Sequence, residues 1–110
     1  MTSVKFLADK NSIYGFEISG HSSINYDDVV GKTVCAAVSS AAYMAANTIT
    51  EVIGDKADVE VNDAEMIFKC KNPSEATVKV LLGLKLHLVS LSDDYSNNIK
   101  IIGGAKNVKD

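Results

Sequence analysis

The sequence predicts an α+β fold in the order ββαββαβ, a mostly antiparallel sheet packed by two helices. Three observations carry that prediction. Short segments that alternate apolar and polar residues come in pairs, as hairpins do. Two longer stretches repeat apolar residues at helical spacing. The length of 110 residues suits a single domain, residues 1–110, and leaves no room for a second.

Each element can be justified in order. Residues 2–8 alternate at Val4, Phe6 and Ala8, predicting a strand. After a turn at Asp9, Lys10 and Asn11, residues 12–19 place Tyr14, Phe16 and Ile18 on one face. The two make an antiparallel hairpin that Gly20 ends. Residues 21–32 carry Ser22, Ser23, Asn25, Asp27, Asp28 and Gly31 with little periodicity, which predicts a long loop of the kind that is a binding loop, a lid or disordered.

Residues 33–53 hold the longest helical pattern, with Val34, Val38, Ala41, Ala45, Ile49 and Val52 near one stripe. Its alanines, at 36, 37, 41, 42, 45 and 46, predict a slim and deeply packed helix. Thr33 is its expected N-cap and Gly54 its stop. Residues 57–61 and 64–70 alternate with period two across Asn62 and Asp63, a second hairpin. Pro73 precedes a helix from Ser74 to about Asp94, with a stripe of Val78, Leu81, Leu84, Leu88 and Leu91. Residues 98–102 form a short last strand, and Gly103 begins a frayed tail.

Composition narrows the function classes. Eleven Lys and Arg against 14 Asp and Glu give a net charge of -3. That balance lacks the basic footprint of a nucleic-acid binder, so direct nucleic-acid contact is not expected. The N-terminus has no basic start followed by an export-type apolar run, and no window approaches a membrane helix of roughly 20 apolar residues. A cytoplasmic protein with no membrane partner is expected. Two cysteines, Cys35 and Cys70, are too few for a disulfide framework and read as reduced thiols.

Cys35 falls in the first turn of the predicted helix. There the helix dipole and unpaired backbone N–H groups favour a thiolate, although a cysteine among alanines also suits a small core position. His21 follows Gly20 at the mouth of the loop that leads to Cys35. A Cys–His pair so placed is what nucleophilic acyl transfer requires: a thiolate to attack, an imidazole to move the proton, and N–H groups for the oxyanion. A loop histidine capping a backbone group is the competing reading of His21. Cys70 lies on the Met66 and Phe68 face of its strand and reads as core. His87, between Leu84 and Leu91, reads as a structural histidine beside the apolar stripe. No pair of cysteines and histidines has the short spacing of a zinc site, so neither a metal nor a cofactor is expected. Gly31, Lys32 and Thr33 imitate the end of a phosphate-binding loop, but the motif needs Gly where Tyr26 stands.

Gly20 with His21, then the loop, then Val34, Cys35, Ala36, Ala37, Val38 and Ser39, resembles the ribosomal-processing cysteine proteases, the Prp family. The segment from Ser74 through Leu91 to Ile99 is also similar to their second helix and last strand. The resemblance implies a homodimeric bacterial cytoplasmic endopeptidase. Its substrate would be the precursor of one large-subunit ribosomal protein, the twenty-seventh in the standard series, from which it removes an N-terminal extension. By position, Cys35 matches the nucleophile and His21 the catalytic histidine; Gly20 and Ser39 match flanking positions. Two departures stand out. The stretch between His21 and Cys35 is slightly longer than the family's spacing. Where the family carries an Asp just before its Val-Cys pair, this chain has Gly31, Lys32 and Thr33. An orienting acid must then be Asp28 or Asp27, with Asp28 nearer the helix, or be missing from a plain dyad. The alternative function is a non-catalytic ribosome-associated peptide-binding module of the same fold.

Overall fold

A computed structural model of the chain describes residues 1–20 and 28–103. In order, the elements are β1 (Thr2–Ala8), β2 (Ile13–Ser19), α1 (Val29–Asn47), β3 (Ala57–Asn62), β4 (Glu65–Cys70), α2 (Glu75–Asp94) and β5 (Ile99–Ile102). The end of α1 runs on as a π-helical turn, Thr48–Ile53. The expected ββαββαβ order and α+β class hold. One five-stranded sheet runs β3-β4-β2-β1-β5. All its pairs are antiparallel except β1 with β5.

Alternation sets the core face of the sheet. Phe6 of β1 pairs with Phe16 of β2, and Phe16 with Phe68 of β4, so three phenylalanines form a row across neighbouring strands. Phe16 and Phe68 stack with centroids 5.3 Å apart, and all three rings are buried. Val34, Val38, Ala42, Ala45 and Ile49 of the first helix and Leu81, Leu84 and Leu88 of the second complete the core. The second stripe is as expected, with Val78 and Leu91 at its partly buried flanks. By length and composition the 25-residue stretch Val29–Ile53 also has the size of a membrane span, contrary to expectation. Its burial of Val34, Val38 and Ile49 in this core accounts for that apolar character within the fold.

Helix α1 departs from its expected form at both ends. It begins at Val29, so only residues 21–27 precede the cap, Asp28. Asp28 Oδ1 accepts from the Gly31 N–H at 2.8 Å, whereas Thr33, the expected cap, lies inside the helix and donates its hydroxyl to the Val29 carbonyl. At the other end, Gly54 stops the helix in the left-handed conformation, φ 88°. The wider π turn rotates Val52 off the stripe to 80% exposure and leaves Ile49 and Ile53 to face the core. The helix is not deeply packed all round, because Ala36, Tyr43 and Met44 are exposed.

Candidate active site

A cavity of about 180 Å³ opens between α1 and the near end of the β3–β4 hairpin. Cys35 lines it together with Val38, Ser39 and Tyr43, all from one side of the helix. Ile18 and Gly20 close it from the end of β2, Thr2 from β1, and residues 61–66 from the hairpin. Cys35 is a half-buried free thiol on this wall.

Gly20 is held from two sides. Its N–H donates to the Ala64 carbonyl at 2.9 Å, tying the end of β2 to the hairpin turn. Its φ is +85°, and a Cβ there would come within 2.5 Å of the Met1 carbonyl oxygen. Only glycine suits this point, the last described residue before His21. His21 and Asp27 lie outside the described residues.

Two expectations about Cys35 are corrected. It is the seventh residue after the Asp28 cap, not a first-turn residue. The dipole effect fades beyond the first turn, and an interior N–H is committed to the carbonyl four residues back. Helix N–H groups therefore do not serve as oxyanion donors at the thiol. Among the described residues, the side-chain donors on the cavity wall are Thr2, Ser39, Tyr43 and Asn62. Asp28 lies on the same side of α1 as Cys35, since seven residues make nearly two turns, about 10 Å along the axis.

The remaining chemistry-bearing residues separate from this site. Cys70 is buried at the end of β4, as expected, and burial, reinforced by the negative charge of Asp55, pushes its thiol pKa up. His87 lies beside the apolar stripe, as expected, but is exposed and not a packed structural histidine: it lines an open apolar groove between the two helices with Ala41, Met44, Gly83 and the stripe residue Leu84. Leu84 and Leu88 point inward, and the helical period carries His87 about 100° away from Leu88. The hairpin wall of the cavity, Asn62, Asp63 and Glu65, is not foreseen by sequence reasoning. Its presence depends on the β2–β4 pairing, which brings Ser19 opposite Glu65. Ser39 and Tyr43, at i+4 and i+8 from Cys35, carry the one sequence signal that could have found part of the wall.

Comparison with known proteins adds to this geometry. The family model described as cysteine protease Prp matches residues 1–100. Comparison with curated protein sequences finds no significant match. Among solved structures, the essential ribosomal processing protease Prp from S. aureus, in complex with a covalently linked product peptide, is similar with a TM-score of 0.81 at 17% identity, over 93% of this chain and 98% of that one. The same protease in complex with a substrate peptide gives 0.82 at 15%, over 92% and 97%. A Streptococcus mutans protein gives 0.78 at 17%, over 93% and 94%. At these identities the structures show a shared fold.

Proposed function

Because the chain belongs to the cysteine protease Prp family, we propose that it is a ribosomal-processing endopeptidase with Cys35 as nucleophile and His21 as general base. Its substrate is the precursor of the twenty-seventh large-subunit ribosomal protein, whose N-terminal extension it removes in the bacterial cytoplasm, acting as a homodimer. The observation that carries the reading is the shared cavity. Cys35 and Gly20, the residue directly before His21, line the same 180 Å³ space.

In this mechanism His21 takes the Cys35 proton, and the sulfur attacks the scissile carbonyl carbon. The C–N bond then breaks, the imidazolium returns its proton to the leaving amine, and a thioester remains on Cys35. Water, deprotonated by the same imidazole, cleaves the thioester and restores the thiol. The oxyanion takes hydrogen bonds from side chains of the cavity wall, Ser39 and Asn62 being the donors at hand, since the helix offers no unpaired N–H at the thiol.

Asp28 serves as the orienting acid in addition to capping α1. An imidazole bridging a carboxylate and a thiol spans roughly 8–9 Å, close to the two-turn separation of Asp28 and Cys35. Gly31, Lys32 and Thr33 stand where the family carries an Asp just before its Val-Cys pair, so the acid has to come from further back.

The test is incubation with the precursor and reading of product masses. Loss of the N-terminal extension by wild type but not by Cys35→Ala is the expected result. Intact precursor bound tightly by the wild type would replace this reading with a non-catalytic binding module.

A further inference from the structure

We infer that the open edge of the sheet, β3, is the docking strand for the substrate, which adds to it as an extended sixth strand leading into the Cys35 cavity. This inference rests on the protease reading of that cavity and names how the peptide is held there.

The sheet has two edges, and they differ. β5 is four residues long and carries Lys100, features that blunt an edge against unwanted pairing. β3 keeps an unbroken register with β4 over all six of its residues and contains neither Pro nor Lys. Every second residue of such a strand offers its N–H and C=O to the open side.

The helix layer stops short of this strand. Val59 pairs with Phe68 and Val61 with Met66, so both valines share the face on which those β4 residues are buried. Yet Val59 is 43% and Val61 52% exposed, while Met66 is 7%. The two valines form an uncovered apolar shelf beside the edge, sized for alternate side chains of an extended peptide.

The shelf is continuous with the chemistry. Val61 and the residues after it line the cavity that holds Cys35. From there β3 runs back about 13 Å to Ala57, the reach of four to five extended residues. Charge fits the occupant as well. Asp63 and Glu65 stand at the cavity end, and among the described residues the cavity lining contains neither Lys nor Arg. A ribosomal protein, whose partner is the RNA phosphate backbone, supplies basic segments.

The test is an N-methyl scan. A synthetic peptide spanning the precursor junction is methylated at one backbone nitrogen at a time, and its binding to Cys35→Ala protein is measured. The expected pattern has period two: about tenfold weaker binding at alternate positions on one side of the scissile bond, and under twofold between them. Val59→Lys and Val61→Lys should also weaken binding several-fold while leaving the melting temperature in place, since both side chains are exposed. Even tolerance of methylation, or no binding of the unmodified peptide, would overturn the inference. So would a dimer joined through β3 that the peptide does not displace. Cleavage by wild type, run in parallel, separates the two ideas. Cleavage without periodicity removes the docking strand and keeps the protease; periodic binding without cleavage does the reverse.

Discussion

Both halves of the chain are a hairpin followed by a helix, and they differ in the connection between the two. In the second half only residues 71–74 join β4 to α2. The start of α2 is closed by two groups. Ser74 Oγ accepts from the Thr77 N–H, and the Asp55 carboxylate accepts from the Ser74 N–H at 2.8 Å and from the Thr77 hydroxyl at 2.6 Å. The cysteine of that half, Cys70, is buried at the end of β4, just before this junction. In the first half residues 20–28 join β2 to α1, and the helix start has Asp28 as its cap. There a cavity opens, with the cysteine of that half on its wall. The same local architecture is thus a closed joint when the connection is short and a site when it is long, the usual division between scaffold and functional loop.

The largest effects that could break this contrast belong to the first half. Cys35→Ala and His21→Ala should each lower cleavage by on the order of 1,000-fold or more, and the double variant should be no worse than either single one, because the pair acts as a unit. Steady-state rates for all three decide it. Simple multiplication of the two losses would contradict a shared step. Melting temperatures should barely move, since a half-buried sulfur leaves only a small cavity.

Asp28→Asn is the next largest. Asn caps a helix as well as Asp does, so stability should hold while turnover falls roughly 10- to 100-fold through loss of the charge. Asp27→Asn is the control and should stay near wild type. If Asp28→Asn is also near wild type, Asp28 is only a cap and the enzyme works as a dyad.

The second half should answer to stability alone. Cys70→Ala removes a sulfur from the core and should cost about 1–2 kcal/mol, lowering the melting temperature by several degrees with cleavage rates unchanged. Loss of activity in a folded Cys70→Ala protein would erase the distinction between the halves. The smallest expected effect lies at Asp55. Hydrogen bonds from the Thr77 hydroxyl, first, and from Ser74 hold its carboxyl below the ordinary range. A depressed pKa in the folded state stabilises the fold above about pH 4 and loses that stabilisation as pH falls through the lowered value. Melting curves of wild type should therefore steepen their decline below about pH 4, and Asp55→Asn should flatten that part of the profile.

Much of this division is legible in the residues. The alternation at Val4, Phe6 and Ala8 marks β1 from its first residue to its last, and Leu81, Leu84 and Leu88 mark the inner face of α2. Gly54 stops the first helix as its position requires. The start of that helix is harder to read. Val29, Val30 and Gly31 are poor helix formers, yet Gly31 is buried against the fold and Asp28 supplies a cap, so tertiary packing outweighs local propensity. Val52 fits the stripe only if the helix keeps its α period, and the π turn breaks it. The chemistry shows the same divide. Cys35 and Ser39 can be placed on one side by counting along the helix, whereas Asn62, Asp63 and Glu65 reach the cavity only through the pairing of β2 with β4, a contact between strands far apart in sequence.

Stoichiometric alkylation tests the central claim, that Cys35 and not Cys70 does the work, most directly. Folded protein is treated with increasing iodoacetamide, the modified fraction of each cysteine is read by peptide mass, and precursor cleavage is measured on the same samples. Cys35 should be modified well before Cys70, and activity should fall in direct proportion to the modified fraction of Cys35. Cleavage that survives full modification of Cys35, or that tracks Cys70 instead, would contradict the account.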